Sequence, residues 1–197
     1  MDADRTLQAF LRAIAGIART ELPADAAAAA LDAAGTAIGI SRGWIQRIDA
    51  GGVPRIVNSR GASPACCAAA ELGLPWPPVP APPPAGGIVT VEAVAGGPGR
   101  LPEALRAAGL GAVVFTPLVA GGRLLGALAL LIETPRAWTA DERSVLEAIA
   151  QLVAGAFERD RERSLRQGLE HALLHGQRLR NVGRLAGAVA HDFNIRV

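Results

Sequence analysis

Two apolar runs, Ala112–Val119 and Leu124–Ile132, stand either side of Ala120-Gly121-Gly122, and this constrains the fold more than any other feature of the chain. Each run has the length of a strand, and a glycine pair is the chemistry a tight reversal requires. Nearly continuous hydrophobicity, in place of alternation, marks strands at the heart of a sheet. The spacing therefore predicts a central antiparallel hairpin. What packs on it must be aliphatic, because 50% of the 197 residues are hydrophobic but only 4% are aromatic and Tyr is absent. A chain of this length has room for one ordinary core and an extension.

The elements around the hairpin follow from local pattern. Thr6 to Arg19 carries Leu7, Phe10, Leu11, Ile14 and Ile17 or Ala18 at helical spacing, giving an amphipathic first helix. Pro23 opens an Ala-rich second helix running to about Ile38. Ile40 to Asp49, then Val53 to Val57 after Ala50-Gly51-Gly52, read as a second hairpin. Seven prolines between Pro75 and Pro84 cannot supply ladder donors, so 75–87 reads as a loop inserted in the domain. Ile88 to Val94 is a short strand, and Leu101 to Ala108 a short helix ending at Gly109. Thr139-Ala140-Asp141-Glu142 matches a capping box, so a long helix starts there. Its apolar positions, Leu146, Ile149, Val153 and Phe157, give way to the charged run Glu158 to Arg166, read as a solvated helix. They resume at Leu179, Val182, Ala186, Val189 and Phe193. This order of elements implies an α+β domain with an antiparallel sheet.

Composition removes several functions. All 20 basic residues are Arg, so no Lys is present to serve as a phosphate ligand, Schiff-base amine or general base. The net charge is +2 and no basic face interleaved with aromatics appears, which argues against nucleic acid. Gly96-Gly97-Pro98-Gly99 lacks the spacing of a phosphate-cradling loop and reads as a turn. The N-terminus has no signal-peptide pattern, and the strongest apolar run is far short of the ~20 residues that span a bilayer. The expectation is a cytoplasmic protein without a membrane span.

The segment Gly109 to Leu130 resembles the last strand hairpin of GAF domains, and Pro135-Arg136-Ala137-Trp138-Thr139-Ala140-Asp141-Glu142-Arg143 resembles that family's turn into its closing helix. The resemblance covers roughly residues 3 to 158. It implies a GAF-type antiparallel sheet flanked by helices, with a pocket for a small ligand that the sequence does not identify.

A second resemblance lies in Gly183-Arg184-Leu185-Ala186-Gly187-Ala188-Val189-Ala190-His191-Asp192-Phe193-Asn194, which is similar to the H-box of bacterial sensor histidine kinases. That family implies a dimeric helical hairpin in which His191 is the phosphoacceptor. Asp192 would take the proton of the other ring nitrogen and fix the tautomer. At about 100° per residue, His191 lies off the stripe of Val182, Ala186, Val189 and Phe193. The chain ends six residues after His191, so ATP, Mg and the ATP-binding domain are expected from outside it. Ile195 departs from the family pattern, which usually has a polar residue four positions after the histidine, and Ile195-Arg196-Val197 reads as a truncation scar.

The resulting organisation is a GAF sensor domain at 1–158, a charged helical linker at 159–178 and a partial phosphoacceptor helix at 179–197. The implied partners are a second copy of the chain, a response-regulator receiver domain and an ATP-binding kinase domain. No cofactor is expected in this chain. Two readings compete: a non-catalytic GAF module for ligand binding and dimerisation, and a GAF enzyme such as the methionine-sulfoxide reductases of this fold. The latter rely on reactive cysteines, whereas Cys66 and Cys67 are adjacent, too close for an ordinary disulfide, and read as two small core residues. A bilin attachment role for the same pair lacks a neighbouring His or Arg, and His-ligated haem lacks a histidine within the domain. His171 and His175 are spaced to offer two nitrogens to zinc, but no Cys or further His nearby completes a site. They read as polar positions on the linker, and no metal is expected.

Overall fold

The computed structural model describes residues 11, 14–20, 22–73, 89–92 and 103–194, with 69, 72, 73, 89–92, 104 and 176–194 described as backbone. It divides into two compact units, Met1–Glu158 and Arg159–Val197.

In the first unit the chain is helical at 14–19 (α1), followed by α2 (Pro23–Ile38), β1 (Gly43–Ile48), β2 (Pro54–Arg60), α3 (Pro64–Gly73), β3 (Val89–Glu92), α4 (Glu103–Ala107), β4 (Ala112–Ala120) and β5 (Arg123–Ile132). Helix α5 (Ala140–Asn194) begins here and provides the helical residues of the second unit. The strands form one five-stranded sheet in the order β2-β1-β5-β4-β3, with every pair antiparallel. The α+β reading is borne out. The apolar β4–β5 hairpin lies inside the sheet, with β5 its middle strand.

Alternation along β5 separates two cores. Leu128 and Leu130 face α1, α2 and the start of α5, where they meet Ile17, Ala30, Leu31, Leu146, Ile149, Val153 and Phe157. Ala127, Ala129 and Leu131 face α3 and α4. The first layer packs closely because α2 presents Ala26, Ala27, Ala30, Ala33 and Ala34, all fully buried. Pro23 stands in the first turn of α2, where its missing N–H costs nothing.

Several boundaries have local causes. The Asp49 carboxylate accepts the amides of Gly51 and Val53, each at 2.9 Å, and so shapes the β1–β2 turn. These amides, the Val53 amide foremost, hold its pKa below the usual value. Gly52 occupies the left-handed region at φ 81°, which only glycine adopts freely. Pro117 lies in β4 beyond Ala112–Phe115, the stretch that pairs with β3, so it takes no donor from that pairing. Edge strand β2 runs to Arg60, past the Val57 that hydrophobicity alone suggests; its last residues, Ser59 and Arg60, are polar and exposed.

Three expectations need correction or placement. No element was expected over Pro64–Gly73, yet α3 forms there, capped by the Ser63 hydroxyl, which accepts the Cys66 amide at 3.2 Å. Cys66 is buried as expected, but Cys67 is only half-buried, one position further around a helix whose other side meets solvent. Leu11 is exposed although it belongs to the apolar stripe of the first helix. Leu7, Phe10 and the proline-rich loop lie outside the described residues.

In the second unit α5 is exposed throughout 162–175. Among the described residues no helix is long and apolar enough to cross a membrane.

Candidate functional site

The face of the sheet beneath α3 and α4 buries a hydrogen-bonded polar pair. Trp44 and Gln46 are two residues apart on β1 and so project to the same side. Both are buried, and the Trp44 indole N–H donates to the Gln46 side-chain oxygen at 3.0 Å. Across the ladder Trp44 pairs with Ala129 and Gln46 with Ala127, both small and buried. Phe115, Val113 and Leu131 complete the floor, and Cys66, Ala70, Leu105 and Leu110 cover it. Sequence reading missed Gln46, although a glutamine set between Trp44-Ile45 and a strand end was a visible signal.

Cys66 is held locally. The Ser63 hydroxyl lies 3.1 Å from its sulfur while accepting its amide. Cys66 and Cys67 are both free thiols.

A shallow cavity of about 260 Å³ lies elsewhere, between α2 and edge strand β2, lined by Ala28, Leu31, Asp32, Asn58, Ser59 and Arg60. Asp32 and Arg60 form an ion pair across its rim. It is separate from the Trp44–Gln46 face.

The start of α5 is fixed by a compact polar network. The Thr139 hydroxyl accepts the Glu142 amide at 3.2 Å, and Glu142 accepts the Thr139 amide at 2.9 Å, so the expected capping box is present. Arg136 forks onto the same carboxylate at 2.7 and 3.1 Å and lies 4.4 Å from the centre of the Trp138 ring. The Arg136 hydrogen bond, then the Thr139 amide, lower the Glu142 pKa to about 2. Trp138 is itself buried against Leu146 and Ile149, so the first turn of α5 is pinned to the domain from both its polar and apolar sides.

His191 and Asp192 lie on the last described turn of α5, among residues described as backbone. They belong to the second unit, while Trp44 and Gln46 belong to the first. His171 and His175 are exposed on the same helix. Among the described residues no group of three or more His, Cys, Asp or Glu side chains is arranged to hold a metal ion.

A family profile described as GAF domain matches residues 4–158. Comparison with curated proteins gave no match. Among solved structures, the chain is similar to the domain of a putative two-component sensor histidine kinase protein from Sinorhizobium meliloti 1021, with 27% identity, TM-score 0.60, and 71% of this chain and 93% of that one covered. It is similar in fold to the chromophore-binding domain of an unusual bacteriophytochrome from R. palustris, at 15% identity and TM-score 0.59, covering 82% of this chain and 63% of that one. Free methionine-R-sulfoxide reductase from Neisseria meningitidis shares the fold at 16% identity and TM-score 0.56, with 82% and 94% covered.

Proposed function

The chain belongs to the GAF domain family, and from that premise we propose that it is the sensory part of a cytoplasmic two-component histidine kinase, in which a small ligand bound by the first unit biases the reactivity of His191. The observation that carries this reading is a single helix, Ala140–Asn194, that opens on the Thr139–Glu142 capping box of the sensor domain and contains His191 near its other end. A helix anchored in a ligand-binding domain transmits a change of rotation or register only as far as it remains continuous.

The ligand site is the Trp44–Gln46 face, beneath α3 and α4. Its floor is apolar, and the Gln46 side chain, bonded to the Trp44 indole, is the polar group set into it. In the complete kinase a neutral ring nitrogen of His191 attacks the γ-phosphorus of ATP. The new N–P bond forms as the P–O bond to ADP breaks, and Asp192 accepts the proton from the other ring nitrogen. A receiver aspartate then takes the phosphoryl group. The ATP-binding domain, with Mg, is supplied by another segment or another chain. Two copies of the chain associate through the apolar positions of α5, with Leu165, Leu169, Leu173 and Leu174 all more than half exposed in the single chain.

The sensor histidine kinase relative supports this reading, since it is 27% identical over 93% of its own length. One residue favours a second, non-catalytic reading as a ligand-binding and dimerisation module: Ile195 stands where related kinases usually carry a polar side chain. Transfer of phosphate from a complete kinase to His191 separates the two, because only the first reading requires it.

A further inference from the structure

Successive residues of a strand point to opposite faces of the sheet, so the end of β1 belongs to both cores. Gln46 faces α3 and α4, where it accepts the Trp44 indole N–H. Arg47 faces the other way, toward α5, and its guanidinium carbon stands 5.5 Å from the centre of the Phe157 ring. Phe157 is the last buried side chain along α5 among those described, and exposure is unbroken from 162 to 175. We propose that Arg47 is a positioning residue that passes a displacement of Gln46 by a bound ligand to the last buried turn of α5, an inference that rests on the ligand site proposed above.

The ladders on either side of β1 favour this route. Toward the edge, the register with β2 shifts between Ile45, opposite Asn58, and Gln46, opposite Ile56, so Val57 is an extra residue on β2. An irregularity of this kind interrupts pairing locally, which leaves the Gln46–Arg47 end less tightly fixed to its edge neighbour. Toward the middle, Arg47 lies opposite Gly126, so the paired position on β5 carries no side chain to hold Arg47 in place. The two backbones approach closely there, since a Cβ on Gly126 would collide with the Gln46 carbonyl oxygen. With an irregular ladder on one side and bare backbone on the other, the covalent link from Gln46 to Arg47 is the stiffest path across the sheet.

The contact at the far end is suited to receive such a movement. A guanidinium is attracted to a ring by the ring's quadrupole, so the attraction depends on where the cation stands over the face. The Phe157 ring is packed in one cluster with Leu128 and Val153 and moves with its helix. The mechanism also selects among ligands. One that bonds to the Gln46 amide takes that group from the Trp44 indole and shifts it, whereas one that leaves the Trp44–Gln46 bond intact has no effect on Phe157 by this route.

The test is amide hydrogen exchange of the full chain, read by mass spectrometry over the turn of α5 that holds Phe157, with Gln46→Leu as the perturbation of the ligand face. In the parent, Gln46→Leu should accelerate exchange in that turn at least about fivefold. With Arg47→Met, which keeps an unbranched stem and removes the cation, the same change should accelerate it less than about twofold. Arg47→Lys, which keeps a cation for the ring, should restore the larger response. Phe157→Leu removes the contact from its other side and should act as Arg47→Met does. Exchange in α2 reports any general loss of stability and should respond to Gln46→Leu equally in every background. No step involves phosphate, so failure here leaves the phosphoacceptor reading of His191 standing, and failure of that reading leaves this result standing. An α5 response to Gln46→Leu of equal size with Arg47 and with Met in its place, or no α5 response in the parent, would overturn the inference.

Discussion

The indole N–H of Trp44 is satisfied by the side chain of Gln46, 3.0 Å away on the same face of the same strand, and both residues are sealed from solvent. Replacing Gln46 by Leu keeps the volume but leaves a buried donor without a partner, which costs about 1–3 kcal/mol. Trp44→Phe in the Gln46→Leu background should recover part of that loss by removing the donor. Urea denaturation of the two single variants and the double variant measures the coupling. Additive effects would mean that the hydrogen bond contributes nothing.

Glu142 carries a second testable property, the pH dependence of the helix start. Its pKa in the folded chain is about 2, against an ordinary value of 4.5, because Arg136 and the Thr139 amide favour the carboxylate. A lowered pKa means that the contribution is complete above about pH 4.5 and disappears as pH falls toward 2. The groups are partly open to solvent, so the contribution is about 1–2 kcal/mol rather than the full value of the shift. Glu142→Gln should therefore be less stable than the parent at pH 7 and equal to it near pH 2. A stability difference independent of pH would contradict the account.

Gly126 tests the sheet itself. A Cβ at this position would stand 2.1 Å from the Gln46 carbonyl oxygen on the neighbouring strand. Gly126→Ala must push β1 from β5 next to the Trp44–Gln46 pair, and should lower stability by about 2–4 kcal/mol. A thermal midpoint within 2 °C of the parent's would show that the strands do not approach as described.

Edge strand β2 is guarded by a side chain from α3. The Ile56 amide donates to the Glu71 carboxylate at 2.8 Å, and Arg55 lies 3.9 Å from the same carboxylate. Glu71→Ala removes the acceptor and frees the amide on the exposed edge. Hydrogen exchange at Ile56 should accelerate at least tenfold while exchange in β4 and β5 stays unchanged. Equal rates in parent and variant would remove Glu71 from this role.

What the sequence made legible was whatever has a local cause. The Gly121-Gly122 turn between two apolar runs announced β4 and β5, and Thr139 with Glu142 announced the start of α5, because each signal is complete within a few residues. Helix α3 was missed because Ala65 to Ala70 has almost no amphipathic contrast, so its only signal lay in the Ser63-Pro64 cap. The pairing of β1 with β5 joins segments about eighty residues apart, and no local pattern encodes it. Gln46 became a site residue only through that pairing, which set it opposite Ala127 on a covered face. His191, by contrast, came from resemblance in the twelve residues around it, and the fold adds one continuous helix, Ala140–Asn194, that contains it.

The most direct measurement is transfer of radiolabelled phosphate from ATP, through a complete kinase with a similar H-box, to the parent chain and to His191→Gln. The account predicts acid-labile label on the parent and none on the variant, with both folded to the same helix content. Equal labelling of the two, or no label on a folded parent that the kinase binds, would contradict it and leave a sensor module whose long helix takes no part in phosphoryl transfer.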